Sequence, residues 1–545
     1  MIRYDAFDSA IGLNWYDADR NLQQIMQRVL DPTDLEWCEP ELVKIGALCG
    51  GPIAARAEVT DKHPPELVKF DRWGEPLDTI VHHPGALATK RDVWEAGISG
   101  PRLRQEAARR GRRYPAAMVT ALNYLLSQAE TGMLCAVGMT NGVIGLVQRF
   151  AAPAVQDVFL PRLTAADFDD AWDGAMFMTE KTGGSDLSTI TTTARQDGER
   201  WLLNGPKWFC SNVDAGAIAT LARPEGAADG LKGVALFLVP KYRRDGSRNG
   251  ISIRRLKDKL GTRAVPTAEV DFVDAEAFLL AGGGHATDGR GINRMMEMVT
   301  DSRHGIAVMG LGIMRRSFLE AAIFAAHRSA FGRRIEELPL VRETLVSMVV
   351  ELEAAAALVF AATAEDTALS RLLVPVAKLR ATRRGVELAS QAVEIHGGNG
   401  YIENWPVARQ LRDAQCHTIW EGTENIICLD ILRAFRNEQV LGAAFSALEG
   451  RARSTSPLLD SVRQSVMLGV NEVREALAFL SGADRDLVQL RARSFGNYLA
   501  DVVQGALLLT EAEWELRHRG SARKALVAHL FAEAHLRQPA VRGIT

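Results

Sequence analysis

Apolar residues recur three and four apart through residues 114–150 (YPAAMVTALNYLLSQAETGMLCAVGMTNGVIGLVQRF), the spacing of helices with one buried face. The same texture, broken by Pro/Gly turns, covers residues 1–175. Within it residues 63–84 (HPPELVKFDRWGEPLDTIVHHP) are marked by prolines and predict an irregular arm. Between about 176 and 288 the period shortens. TTTARQDGERWLLNGPKWFCS is two β-rich runs around glycine turns, and GVALFLVPK, GISIRRLKDKL and TAEVDFVDAEAFLL follow as further strands. β-Branched and aromatic residues bounded by Gly, Asp and Pro predict a small antiparallel barrel or sandwich. Helical stripes return in residues 304–332 and 342–370, apolar over more than half their circumference as in bundles. A last helical stretch runs through residues 486–520 toward the end. The fold predicted is mainly α with a central antiparallel β domain. Its segments are 1–175 (arm and helices), 176–288 (β), 289–440 (helical bundle) and 441–545 (C-terminal helical module). No fixed-period repeat is present.

Size and composition narrow the class. A chain of 545 residues exceeds one ordinary core, so several domains are expected. Apolar content of 47% and charged content of 24% describe a soluble globular protein. A net charge of -3 implies no bulk attraction to nucleic acid or an anionic membrane. The first residues carry acids and lack a basic-then-apolar signal pattern. No apolar run is read as approaching a membrane span of ~20 residues. Cys38, Cys49, Cys135, Cys210, Cys416 and Cys428 are scattered without metal-ligand spacing. The expectation is a reduced, cytoplasmic enzyme without a structural metal.

Four strings carry candidate chemistry. MTEKTGGSD (residues 178–186) ends a short β-like run in a turn whose glycines and serine can present N–H groups and a hydroxyl to a phosphate or polar ring edge. Alone it is equally a plain turn. NGPKWFCSN (residues 204–212) reads as a hairpin turn followed by two aromatics and small polar residues, suited to the wall of a flat cofactor or simply to a half-buried strand. HGGNGY (residues 396–401) follows a helix, where glycines serve a C-cap or a pyrophosphate contact. That position excludes a Rossmann fingerprint. GLG (residues 310–312) lies inside a helical stripe and fails the same test. His327 and His396 are read as helix-end or packing histidines. Lastly HTIWEGTENI (residues 417–426) seats Glu421 between Trp420 and Gly422, as a loop acid at a helix start or as a base held over a reactive carbon.

In this order MTEKTGGSD, NGPKWFCSN, HRSAFGR, QAVEIHGGNGY and LRDAQCHTIWEGTENI resemble the acyl-CoA dehydrogenase superfamily of flavoproteins over residues 75–440. RLKDKLGTR (residues 255–263), the Pro-rich arm and the C-terminal module are most similar to its AidB-like branch, linked to the alkylation response. The resemblance implies a helical, β-barrel or sandwich, helical-bundle architecture that binds FAD. Thr179 matches a threonine contacting the flavin ring, and Gly184 and Ser185 match the turn near the flavin and its phosphates. Phe209 stands where a tryptophan commonly walls the ring, and Ser211 where a threonine bonds its edge. Arg328 and Phe331 match residues reaching the FAD of a neighbouring subunit, while Pro339 replaces a glutamine on the adenosine side. Gly397 and Gly398 match the loop for the other end of that cofactor, with Glu394 replacing a glutamine. Thr423 and Asn425 match further FAD contacts. A shared cofactor implies a homo-oligomer, commonly a tetramer built as a dimer of dimers.

Glu421 matches the catalytic base, with Trp420 in place of the usual tyrosine. Such a base removes the proton α to a thioester carbonyl while the β hydride leaves for flavin N5. An ordinary glutamate near pKa 4.3 is a weak base, and aromatic, water-poor cover raises it. Gly422 lets backbone N–H groups approach the polarised carbonyl oxygen. Arg303 matches an arginine near the substrate end, where it holds Glu421, meets a polar substrate group or forms a structural ion pair. The resemblance implies an FAD-dependent acyl-CoA dehydrogenase that passes electrons to an electron-transfer flavoprotein or other acceptor. The alternative is an AidB-like flavoprotein binding DNA through its C-terminal module, with weak or vestigial dehydrogenase activity. Residues 441–545 hold 13 Lys/Arg against 11 Asp/Glu, with basic clusters at 451–453, 491–493 and 517–524.

Overall fold

The computed structural model describes residues 3–7, 9–198, 200–281, 288–363 and 367–537. Parts of three predicted runs, residues 282–287, 364–366 and 538–545, lie outside the described residues. The chain forms two compact units. One comprises Met1–Pro52, Pro115–Ala129 and Ile306–Thr545, the other Ile53–Tyr114 and Glu130–Gly305.

The second unit holds the strands β1 (Glu66–Phe70), β2 (Pro76–Val81), β3 (Gly174–Phe177), β4 (Thr193–Asp197), β5 (Arg200–Ser211), β6 (Ala217–Pro224), β7 (Ala235–Pro240), β8 (Ile251–Leu256) and β9 (Thr267–Leu279). Pairing runs β6–β4–β5–β9–β7 and returns from β7 to β6, which closes a small barrel with β3 beside β6 and β8 beside β9. Most pairs are antiparallel, as predicted, but β3–β6 and β4–β6 are parallel. Strands β6 and β7 are apolar on both faces because each face has its own core. Ile218, Ala222, Ala235, Phe237 and Val239 point into the barrel. Ala217, Ala219, Leu221, Leu236 and Leu238 join a cluster with Val143, Leu146 and Phe159 from the helices Thr131–Phe150 and Pro153–Leu163.

Two sequence expectations are corrected here. Residues 63–84 are not an irregular arm: β1 and β2 form an antiparallel hairpin. Lys69 Nζ donates to Asp78 Oδ1 (2.7 Å), Ser252 Oγ (3.2 Å) and the Ile253 carbonyl (2.6 Å), and Leu67 and Ile80 pack on the barrel core. The NGPKWFCSN string is not a hairpin turn either, since Asn204 and Gly205 lie within β5. Gly205 adopts φ +141°, and a Cβ there would lie 2.6 Å from Thr192 Cα, so the glycine serves close approach and not chain reversal.

The first unit is helical. Its long elements include Pro339–Ala361, Thr367–His396, Asp460–Ser481 and Arg485–Arg519. The helix Gly291–His327 carries the GLG string, where a Cβ on Gly310 would lie 2.7 Å from Ala381 backbone and one on Gly312 1.9 Å from Ser127 Oγ. Both glycines are packing residues. Two helices, Thr131–Phe150 and Pro339–Ala361, do have the length and hydropathy of a membrane span, against expectation. Their most apolar windows are 61% and 67% buried inside the protein, which core helices also satisfy.

The C-terminal module is fastened by buried charge. Lys524, 2% exposed, bridges Glu353 Oε2 (2.8 Å) and Glu511 Oε2 (2.6 Å). Arg523 adds a second bond to Glu353 (2.5 Å), and Arg28 meets Glu511 at 2.9 Å. Burial alone raises the Glu353 pKa, yet Lys524 and Arg523 outweigh it and hold the carboxyl below its usual range. Removing one partner of such a pair leaves uncompensated buried charge, so Lys524→Met is expected to cost about 3–5 kcal/mol in chemical denaturation. Because the folded-state pKa of Glu353 is depressed, its contribution is present above the unfolded value near pH 4.3 and fades as pH falls through the folded one. The gap between wild type and variant should therefore narrow in acid, measured as unfolding midpoints from pH 7 to 3.

Candidate functional site

In the barrel unit, the MTEKTGGSD and NGPKWFCSN strings meet. The Trp208 N–H donates to the Thr179 carbonyl (2.9 Å), joining the turn after β3 to the middle of β5. Beneath them lies a buried ion pair that the sequence analysis missed. Glu180 is 3% exposed and accepts from Lys207 Nζ (2.8 Å), Thr191 N (2.7 Å), Thr191 Oγ1 (2.7 Å), Thr192 Oγ1 (2.6 Å) and Thr192 N (3.2 Å). Lys207 also donates to the Leu221 carbonyl on β6 (2.8 Å). Burial opposes the Glu180 charge, but Lys207 and the two threonines prevail and keep its pKa below normal. This pair fixes the turn against the strand. A clue lay in the second string, where Lys207 is the single charged residue among aromatic and small polar ones.

What the pair supports is an open aromatic face. Phe209 is 55% exposed. Ser211, two residues along β5, has its Oγ 3.0 Å from Thr267 Oγ1. Lys257, held by Glu269 at 2.9 Å, lies 3.5 Å from the Trp208 ring centroid and 4.9 Å from that of Phe209. Gly184 abuts Thr179, since a Cβ there would lie 2.9 Å from Thr179 Oγ1. Ser185 is exposed beside it. Arg303 is buried in the helix Gly291–His327.

In the helical unit, Glu421 occupies the short connection between the helices Pro406–His417 and Glu424–Ala434. Its backbone is left-handed at φ +53°, and Gly422 follows at φ +108°. A glutamate in that region is strained, and such strain collects at functional positions. Carboxylate oxygen Oε2 is buried. Trp420 is half-buried, its ring 6.2 Å from that of His417 and inclined at 61°. His417 is completely buried, and burial first and the Lys378 charge second push its pKa down to about 3, so the imidazole is neutral. Lys378, on the helix Thr367–His396, donates from Nζ to the Gly422 carbonyl. Neither His417 nor Lys378 was singled out in the sequence, although a lysine inside the apolar run VPVAKL was a signal.

The remaining candidates surround other exposed backbone. Phe331 is 92% exposed at φ +54° in the tight turn between Ser329–Ala330 and Arg333–Arg334. Arg328 is exposed, with no ion pair among the described residues. Gly397, at φ +60°, and Gly398 have open space where a Cβ would stand. Thr423 precedes the helix Glu424–Ala434 with its side chain making no cap bond. Asn425 Oδ1 accepts from Arg493 at 2.5 Å. His396 stacks on Phe324 (4.3 Å) and bonds the Ala392 carbonyl, and His327 ends its helix, both as predicted.

FAD needs a flat apolar wall, a polar contact at the ring edge and donors for its phosphates. In the barrel unit Phe209 with Ser211 suits the first two. Taken separately, the helical unit offers the guanidinium of Arg328 and the bare backbone of Gly397 and Gly398 for the third. The residues of each unit fit their part of the cofactor. Asn425 fits least, because Arg493 already engages its amide oxygen. Several cations of the basic clusters in the C-terminal module are paired with carboxylates. Arg517 pairs with Glu513 (2.5 Å), Arg523 with Glu353, Arg493 with Glu424 (3.8 Å), and Lys524 is buried.

Comparison with known proteins adds independent weight. Three family models match in succession: the adaptive response protein AidB N-terminal domain over residues 8–170, the acyl-CoA dehydrogenase middle domain over 175–275, and its C-terminal domain over 289–435. The chain is 31% identical over 489 residues to AidB of Escherichia coli (strain K12), covering 83% of this chain and 86% of that one. Among solved structures, Caenorhabditis elegans ACDH-11 in complex with C11-CoA superposes with a TM-score of 0.87 at 28% identity, covering 98% of this chain and 94% of that one. The apo form of Bd2924 gives 0.83 at 29% identity over 92% and 99% of the two chains. With its barrel, helical unit and motif residues in place, the chain belongs to the acyl-CoA dehydrogenase family of FAD-dependent oxidoreductases.

Proposed function

We propose that the protein dehydrogenates an acyl-CoA between Cα and Cβ, with Glu421 as the base. The observation that carries this reading is the placement of Glu421: a carboxylate with one oxygen buried, in a strained left-handed turn beside an aromatic ring. Binding of C11-CoA by ACDH-11 supports a thioester substrate. Bound FAD supplies a two-electron acceptor for the hydrogen on Cβ. Glu421 takes the α proton onto its carboxylate, and the thioester leaves as its 2-enoyl product, one proton and one hydride lighter. Trp420 limits water around the carboxylate, which favours proton transfer from a weak carbon acid. Gly422, without a Cβ, leaves room for a carbonyl oxygen beside the backbone. Thr179, Gly184, Ser185, Phe209 and Ser211 hold the ring side of FAD. Thr423 and Asn425 make further FAD contacts. Arg328, Phe331, Gly397 and Gly398 serve the FAD of a neighbouring copy, which makes the protein a homo-oligomer, in our reading a tetramer. Arg303 lies toward the substrate. An electron-transfer flavoprotein is the acceptor class this chemistry calls for, and the cytoplasm is the compartment we assign.

DNA binding by the C-terminal module is the alternative. It requires several phosphate contacts on one face, and the near balance of charge in residues 441–545, with Arg493, Arg517, Arg523 and Lys524 each paired to a carboxylate, speaks against a concentrated basic face. Duplex DNA in a gel shift over a salt series is predicted to show no specific retention. Retention that weakens steeply with salt would favour the alternative.

Anaerobic mixing with straight-chain, branched and aromatic acyl-CoAs is expected to bleach the flavin of the wild type with at least one of them. Glu421→Gln should keep its FAD and slow bleaching by about a hundredfold or more. Bleaching of that variant at the parental rate would move the base elsewhere. Glu180→Ala leaves Lys207 as an uncompensated buried cation, so it should cost about 3–5 kcal/mol in denaturation and lower the flavin-to-protein absorbance ratio. An unchanged midpoint and ratio would refute the role given to that pair.

A further inference from the structure

The lysine behind the Glu421 turn has a more specific task than filling space. Lys378 is 1% exposed, set in the helix Thr367–His396 among the buried residues Val374, Val376, Ala377 and Leu379. Burying an ammonium there is costly, and an apolar side chain would pack the same slot without that cost. Nζ donates to the carbonyl of Gly422, the residue after Glu421. The same helix grips the next stretch twice more. Arg383 bonds Glu424 at 2.8 Å, and Arg371 bonds Asp430 through two contacts of 2.7 and 3.1 Å.

The segment so held is one that needs holding. A non-glycine residue in the left-handed region is strained by its Cβ against the backbone, and Glu421 stands there at φ +53° with Gly422 at +108°. Left alone, the turn would relax toward ordinary backbone and swing the carboxylate with it. A charge-assisted bond to the adjacent carbonyl is stronger than a neutral one and offsets that tendency.

We propose that Lys378 is the positioning residue for the base: its ammonium, bonded to the Gly422 carbonyl, locks the left-handed Glu421–Gly422 pair and thereby fixes the Glu421 carboxylate. The inference rests on the reading of Glu421 as the base, and its test separates the two. Lys378→Met keeps the length of the side chain and removes charge and donor, whereas Lys378→Arg keeps both. In the FAD-loaded full-length protein, the Met variant should lose about tenfold to a hundredfold in the bleaching rate at saturating acyl-CoA, the scale of a small misplacement of a reacting group. KM and FAD content should stay near the parental values. Amide hydrogen exchange in peptides covering residues 417–426 should quicken about tenfold, with barrel peptides unchanged, because the clamp protects that segment locally. The Arg variant should recover most of both. Parental bleaching and exchange in the Met variant would overturn the proposal. So would lowered FAD content with an unchanged rate per bound flavin, the signature of a merely structural lysine. If the Met variant does not fold, Lys378→Gln, which keeps a donor without the charge, is read by the same rate and exchange measurements. Glu421→Gln is run alongside. If that variant bleaches at the parental rate, the base assignment falls, while the exchange arm still decides whether Lys378 holds the turn.

Discussion

A carboxylate meant to take a proton from carbon has to be held still with little water around it, and the proposal that Glu421 is that base places this constraint on the chain around it. The helix Pro406–His417 stops, two consecutive residues take positive φ, and a new helix begins at Glu424. That geometry exposes the segment to relaxation, and the helix Thr367–His396 opposes it with Lys378, Arg383 and Arg371. The same helix is tied to the C-terminal module. Arg380 donates to the Asn497 carbonyl at 2.8 Å, and a Cβ on Gly496 would lie 3.2 Å from Leu379. The module therefore braces the helix that carries Lys378.

The barrel unit solves its own version of the problem with the same device. Phe209 and Ser211 must present an open face, so little of what fixes them can lie on that face. Glu180 and Lys207 lie beneath it, both almost fully buried, joining the turn after β3, the 191–192 segment, β5 and β6 through a dense set of bonds. In each unit a buried charge fixes the backbone beside a candidate functional residue: the Glu180–Lys207 pair next to Phe209, and Lys378 behind Glu421. Such charges are poor investments in stability alone, and their value here is the conformation they select.

Much of this was legible in the sequence, because periodicity reports burial directly. The strands β4, β5, β7, β8 and β9, the long helices, the helical placement of Gly310 and Gly312 and the helix-end histidines follow from residue spacing, whereas β6 was not read. Asn204-Gly205 misled because Asn-Gly is the strongest short hairpin signal, whereas here the glycine admits Thr192 to within contact of β5. The hairpin of β1 and β2 was hidden by Pro64, Pro65 and Pro76. What anchors it, Lys69 against Ser252 and Ile253, lies more than 180 residues away in the chain. Glu180, Lys207 and Lys378 went unnoticed for a single reason: a charged residue in a sequence is taken as solvated, and only the fold reveals which charges are enclosed.

The central claim, that Glu421 removes a proton from the carbon next to a thioester, is tested most directly without any oxidation. An arylacetyl-CoA has α hydrogens and no β hydrogen to lose, so in D2O the protein can only exchange its α position. Mass spectrometry of the recovered thioester is predicted to show deuterium incorporation with the wild type, at a rate far above buffer alone, and none above buffer with Glu421→Gln. Equal incorporation by the two proteins would contradict the account.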